Sequence, residues 1–134
     1  MNIDDRAQFY GELARVSREG APLCIFDVMK GPTAGLHFPV PWAETEANSF
    51  LRTPDETCDL VKEAGFDIVA KTSLREFAID FFRDAFAKAA KVDRPPPLGL
   101  HILAGTNAPD KFANYAKALD EHQIDPVIVV AKRN

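Results

Sequence analysis

Three short apolar runs, each set between helical patterns, constrain the fold of this chain more than any other feature. They are residues 23–29 (LCIFDVM), 66–71 (FDIVAK) and 126–132 (PVIVVAK). Apolar runs of this length predict strands of a buried sheet. Because the strands alternate with helices, the sequence predicts a layered α/β fold. Three strands make a small sheet for a chain of 134 residues, which indicates that strands are missing from it.

The first helix is predicted from a cap and an apolar stripe. Asp4 or Asp5 can cap its N-terminus, and Phe9, Leu13 and Val16 then recur at helical spacing. Tyr10 and Ala14 widen this apolar stripe.

The later helices are predicted from their start and stop signals. Thr53 precedes a proline and two acidic residues, which is typical of a helix start, and Gly65 is expected to end that helix. Ser73 and Glu76 have the spacing of a capping box for a third helix. Asn107 precedes the last helix.

Composition and charge argue against several classes of protein. The net charge of −4, without clustered Lys and Arg, argues against nucleic-acid binding. No run approaches the roughly 18 apolar residues of a membrane span, and the charged first 20 residues are unlike a signal peptide, so we expect a cytoplasmic protein. The three histidines are too far apart in sequence to suggest a metal site. Cys24 and Cys58 are expected to be reduced, buried thiols.

Residues 30–48 form a long loop that is rich in proline and glycine but also carries apolar side chains, namely Leu36, Phe38, Val40 and Trp42. Long ordered loops in compact domains are uncommon and are often functional. This loop is therefore the first place to look for a binding site.

Several short motifs, in order, resemble one enzyme family. Residues 15–20 (RVSREG), followed by a strand that ends near Asp27, resemble a helix–turn–strand unit of class I S-adenosylmethionine-dependent methyltransferases. Residues 39–43 (PVPWA), 49–54 (SFLRTP) and 64–66 (AGF) follow at matching spacing. The series is similar to the branch related to ubiquinone/menaquinone-biosynthesis enzymes and glycine-derivative N-methyltransferases.

The resemblance implies a single domain, residues 1–134, that corresponds to the C-terminal, substrate-side half of such an enzyme. Its α/β fold would be a truncated class I methyltransferase (Rossmann-like) sheet. Strands 23–29, 66–71 and 126–132 would be the fifth, sixth and seventh strands of the family. Their spatial order would be 1-3-2, with the last strand antiparallel and helices at the flanks.

The family's cofactor-binding motif is missing from these residues. A nucleotide-type cofactor needs glycines at a strand-to-helix turn, where the backbone approaches it closely. The seven glycines, at positions 11, 20, 31, 35, 65, 99 and 105, form no such G-x-G-x-x-G turn. We therefore expect no cofactor to bind to this chain alone, although S-adenosylmethionine is the cofactor of the intact family.

Four residues are candidates for binding a small-molecule substrate, and no catalytic residue can be named. Trp42 and Phe38 could line an acceptor pocket, or simply pack on the sheet. Asp27 could be a polar anchor or base, or could cap nearby backbone amides. His37 could accept a proton at neutral pH, or be a bystander.

Loss of the first four strands would leave strand 23–29 at the edge of the sheet. It holds no Lys or Pro that would block pairing with another chain. We expect either a homodimer through this edge or a separate N-terminal methyltransferase half that covers it. Two functions stay open: a substrate-side methyltransferase portion that is inactive alone, and a cofactor-free small-molecule-binding or dimerisation module.

Overall fold

The last strand of the chain lies in the middle of a three-stranded sheet. In this computed structural model, which describes residues 1–91 and 99–134, the strands are β1 Pro22–Lys30, β2 Phe66–Ser73 and β3 Ile124–Arg133. Their order is β1-β3-β2, and β3 is antiparallel to both neighbours. The expected strand order and the antiparallel last strand are therefore confirmed.

Strand β3 takes the central position although it contains a proline. Pro126 cannot donate a ladder hydrogen bond, and proline is normally excluded from central strands. Strand β2 pairs with β3 only as far as Ser73 opposite Val127, so Pro126 lies beyond the last β2 pair. Its carbonyl oxygen still accepts a hydrogen bond from the Leu74 amide at 2.7 Å. The backbone N–H that Pro126 lacks would therefore lie beyond the β2–β3 ladder, where no strand residue would accept a hydrogen bond from it.

Five helices flank the sheet in the described residues: α1 Arg6–Val16, α2 Pro54–Glu63, α3 Arg75–Ala89, α4 Leu100–Ala104 and α5 Ala108–Asp120. Tyr10 of α1 and Val61 of α2 pack with Ala131 on one face of the sheet. On the opposite face, Leu119 of α5 packs with Val28 and with Ile124, at the start of β3. No helix in the described part of the chain is long and apolar enough to cross a membrane.

The start signals of the first two helices are confirmed. The Asp5 carboxylate accepts a hydrogen bond from the Gln8 amide at 2.9 Å and so caps α1. Thr53 caps α2, and the Glu56 side chain accepts in return from the Thr53 amide at 2.7 Å, which completes a capping box. These caps fix the entry of both helices.

The capping box predicted for α3 is wrong. Ser73 is the last residue of β2 and pairs with Val127, while Leu74 occupies the N-cap position without a side-chain cap. The Ser73 hydroxyl donates instead to Asp125 and accepts from the Arg75 amide at 3.2 Å. Pairing with β3 extends β2 past the predicted end, and the long-range ladder therefore overrides the local signal.

The apolar stripe predicted for α1 is buried only in part, and one prediction for the cysteines is wrong. Tyr10 and Ala14 of the stripe are buried, whereas Phe9 and Val16 are 39% and 65% exposed. Cys24 is exposed, although Cys58 is buried as expected. Cys24 belongs to β1, which in the part of the chain that the structure describes has a neighbouring strand on only one side.

Candidate functional site

Asp27 lies near the end of β1 and is held by two cationic groups. Its Oδ2 is 2.8 Å from the amino nitrogen of Met1 and 3.1 Å from Nη2 of Arg6. Its side chain is 15% exposed. The carboxylate therefore pairs with cations, which fits the interpretation of Asp27 as a polar anchor better than the alternative of a cap on backbone amides. A carboxylate engaged in this way has the geometry of a structural anchor.

Arg6 ties α1 to the loop that follows β1. Besides Asp27, its Nη2 donates to the carbonyl oxygen of Phe50 at 3.1 Å, and the Phe50 amide donates to the carbonyl of Met1 at 2.9 Å. Arg6 is 4% exposed, and its Nε is buried without a hydrogen-bond partner. The sequence analysis did not select Arg6. Its position four residues before the buried Tyr10, on the same helical face, was the available signal.

Trp42 packs inward from the loop. Its ring meets Tyr115 of α5 edge-on, with centroids 6.0 Å apart, and its Nε1 donates to the Ser49 hydroxyl at 2.9 Å. Burial raises the pKa of Tyr115 to about 12, as expected for a phenol taken out of water. These contacts are those of a side chain that anchors the loop on α5.

Phe38 is half-buried and lines a cavity of about 380 Å³ between the loop and the start of β3. Leu36 and Leu51 add apolar walls, and Lys30 and Glu46 bring opposite charges to it. His37, the neighbour of Phe38, is exposed and is not among the residues that line this cavity. Of the four candidates, Phe38 is thus the one with a side chain in this cavity.

Gln123 fixes the base of this cavity. Its Nε2 donates to the carbonyl oxygen of Gly35 at 3.1 Å and to Glu121 at 2.7 Å, which holds the loop against the end of α5. Its Oε1 is buried without a partner. Ser49 also lines the cavity and accepts a hydrogen bond from Trp42. Trp42 therefore helps to position a residue of the cavity wall. Neither Ser49 nor Gln123 was selected from sequence, because each acts through distant partners.

The structure therefore brings the candidates together only in part. The Asn2 side chain donates a hydrogen bond to the backbone carbonyl of Trp42 at 2.8 Å. Asn2 follows Met1, whose amino group contacts Asp27, so the surroundings of Asp27 and Trp42 are connected. Ser49, which accepts a hydrogen bond from Trp42, lines the same cavity as Phe38, whereas His37 does not line it. Across residues 1–91 and 99–134, no cluster of three or more His, Cys, Asp or Glu side chains could hold a metal ion.

A second concave surface runs along the outer side of β1. This groove of about 470 Å³ lies between α1 and β1 and is lined on the helix side by Phe9 and Leu13. On the strand side it is lined by residues 23–27, including the 67% exposed Phe26. We call this surface the β1 groove.

Solved structures with this fold are methyltransferases and related enzymes. A putative sarcosine dimethylglycine methyltransferase from Galdieria sulphuraria is 12% identical, with a TM-score of 0.70. Phosphoethanolamine N-methyltransferase 2 of Haemonchus contortus, in complex with S-adenosyl-L-methionine, is 13% identical with a TM-score of 0.69. The cyclase SpnF is 19% identical with a TM-score of 0.60. No protein-family profile and no curated protein matches the sequence.

These matches cover almost all of this chain but less than half of each solved structure. Each of the three covers 98% of this chain, while the chain covers 49%, 30% and 46% of them, respectively. At this level of identity the likeness shows the fold: the chain has the Rossmann-like fold of part of a class I S-adenosylmethionine-dependent methyltransferase.

Proposed function

We propose that residues 1–134 form one domain, the C-terminal, substrate-side portion of an S-adenosylmethionine-dependent methyltransferase that acts on a small molecule. The cofactor-binding residues would come from outside these 134 residues, and the chain would be inactive alone. One observation carries the proposal: solved methyltransferases match 98% of this chain, which spans only 30–49% of them.

Two features of the chain support the assignment of cofactor binding to residues outside it. The seven glycines form no cofactor-type turn, so these residues lack the close-approach backbone that a nucleotide-type cofactor needs. Within the described residues, strand β1 also has a neighbouring strand on one side only, and the β1 groove beside it is lined by apolar side chains. An unpaired edge of this kind suits an additional strand.

The cavity beside Phe38 is the site that we assign to the small molecule. Its apolar walls, Leu36, Phe38 and Leu51, suit the body of a small organic compound, and Lys30 and Glu46 offer charges to polar groups. Two of the similar structures are named for small amines or phosphoamines, namely sarcosine and dimethylglycine in one and phosphoethanolamine in the other. Compounds of this class are therefore the first probes to use.

The test begins with the cofactor. Calorimetric titration of the purified chain with S-adenosylmethionine should give no binding. A polypeptide encoded directly upstream, if it carries a glycine-rich strand–turn–helix, should co-purify with the chain and yield a complex that binds S-adenosylmethionine. Micromolar binding of the cofactor by the chain alone would overturn the proposal.

The same complex tests the cavity. With sarcosine and phosphoethanolamine as methyl acceptors, Phe38→Ala should raise KM by about tenfold, the loss expected for removing an aromatic wall. His37→Ala is the matched control, because its side chain is exposed beside the cavity. An equal effect of both variants would argue against the cavity as the acceptor site.

A second candidate function is a cofactor-free small-molecule-binding or dimerisation module derived from a methyltransferase. It is favoured by the engagement of Asp27 and Trp42 in internal contacts, with Arg6 and Tyr115, respectively, which leaves neither side chain free for chemistry. Under this alternative, sarcosine or phosphoethanolamine would shift the NMR signals of cavity residues in the chain alone, and no cofactor-binding companion would form a complex.

A further inference from the structure

The outer edge of β1 is open along a defined length. At the two ends of β1, Ala21 accepts a hydrogen bond from Arg133 and Gly31 donates one to Gln123, both on the β3 side. In an antiparallel pair the residues alternate between bonding to the partner and pointing away from it. The even-numbered residues between them, Cys24, Phe26 and Val28, therefore direct their N–H and C=O groups to the outer edge.

The open part of the outer edge of β1 ends at Lys30, where the loop that follows β1 comes back to the strand. The Lys30 amide, which also points outward, donates to the carbonyl oxygen of Arg52 at 2.8 Å. The free segment thus runs from Pro22 to Val28, and its midpoint is Ile25. We call this segment the β1 edge.

We propose that two copies of this chain pair through the β1 edge, as antiparallel strands about a twofold axis at Ile25. Antiparallel self-pairing uses the whole open length only when the midpoint lies on the axis. Cys24 then stands opposite Phe26 of the second copy, and every outward N–H of the segment finds a carbonyl partner. Pro22 has no N–H, so the Val28 carbonyl opposite it receives no hydrogen bond. The result is a continuous six-stranded sheet with no exposed hydrophobic edge at β1.

The side chains disfavour one of the shifted registers. A shift of two steps would place Asp27 directly opposite Asp27 of the second copy. Like charges directly opposite are destabilising. In the register centred on Ile25, Asp27 faces Leu23 of the second copy and keeps its contact with Arg6 on the helix side of the sheet.

The ends of the strand are complementary in charge. Lys30 at one end is exposed, and so is Glu19 just before the other end. In the proposed register Lys30 lies just past the paired segment, and its side chain comes near Glu19 of the second copy. Two such pairs, related by the twofold axis, would flank the apolar centre.

The dimer would also cover apolar surface that water now reaches. Phe26 is 67% exposed and Phe9 is 39% exposed, and both line the β1 groove. The second copy's strand would occupy that groove. Because a cofactor-binding half would use the same edge, homodimerisation and assembly with such a half exclude each other. The inference does not depend on the proposed function, because it needs only the open edge.

Sedimentation velocity at micromolar concentration tests the proposal. The wild-type chain should sediment as a dimer, and Phe26→Lys should convert it to a monomer by placing two charges in the pairing region. Phe77→Lys is the matched control, because Phe77 is also 67% exposed but lies on α3. A wild-type monomer would overturn the proposal, and so would a dimer that Phe77→Lys dissociates and Phe26→Lys does not.

Crosslinking supplies an independent measurement that needs no destabilising variant. In the proposed register the two Cys24 residues are diagonal neighbours, with Cα atoms about 7–8 Å apart, which is too far for a disulfide but within reach of a short bismaleimide. Cys24 is exposed and Cys58 is buried. The reagent should therefore give covalent dimers with the wild type and none with Cys24→Ser. Absence of crosslinking in a wild-type dimer would exclude this register.

Discussion

Arg6 of α1 and Asp27 of β1 form a largely buried ion pair, with Nη2 and Oδ2 3.1 Å apart and Arg6 only 4% exposed. The pair joins the first helix to the end of the first strand, and Arg6 continues to the Phe50 carbonyl in the following loop. The strand end that borders the ligand crevice in related folds is thus occupied here by an internal contact.

Removing the carboxylate should therefore be costly. Asp27→Asn leaves the Arg6 guanidinium buried without its counter-charge, and breaking a buried pair in this way typically costs about 3–5 kcal/mol. Urea denaturation should show a loss of this order in the free energy of unfolding. Asp59→Asn is the control, because the Asp59–Lys62 pair is exposed and should contribute less than about 1 kcal/mol. Equal effects of the two variants would contradict a structural role for Asp27.

Tyr115 should make the protein sensitive to alkali. Burial raises its folded-state pKa from an ordinary 10.0 to about 12, so the folded state holds the phenolic proton more tightly than the unfolded state. The stabilising contribution is complete below pH 10 and is lost as the pH rises from 10 to about 12. The free energy of unfolding should fall through this window, and less steeply in Tyr115→Phe. Ultraviolet absorbance should show that both tyrosines ionise at higher pH in the folded than in the unfolded protein, because burial also raises the pKa of Tyr10, the other tyrosine.

Gly31 should tolerate no side chain. A Cβ there would lie 2.2 Å from the carbonyl oxygen of His122, a backbone atom that cannot swing away. Gly31→Ala should therefore lower the free energy of unfolding by about 2 kcal/mol or more. Gly11→Ala, in the middle of α1 with open space around it, should instead raise it by about 1 kcal/mol. A tolerated Gly31→Ala in thermal unfolding would mean that the loop does not pack on the end of α5.

The two thiols should differ in reactivity. Cys24 is exposed, whereas Cys58 is buried, and burial is the main cause that raises the pKa of the Cys58 thiol. A neutral, buried thiol reacts slowly with disulfide reagents. Ellman's reagent, added to dilute native protein, should therefore modify one thiol per chain quickly, and Cys24→Ser should abolish this fast phase. Two fast thiols in the native protein would show that the α2 face opens readily.

Local sequence signals determined much of the secondary structure. Asp5 and Thr53 cap the helices that they were expected to cap, and three apolar runs became the three strands. The strand order followed from the family resemblance of short motifs and was confirmed. These features were predictable because caps and apolar periods act between residues a few positions apart.

Only the tertiary structure decided which side chains meet. Asp27 pairs with Arg6, Trp42 rests on Tyr115 and supports Ser49, and Phe38 rather than His37 lines the cavity. Cys24, on the edge strand β1, is exposed, and so is Phe9 of α1. Ser73 stayed in β2 because Val127 pairs with it. Each outcome depends on strand register and on which face a helix covers, and these are set by contacts between residues far apart in the chain.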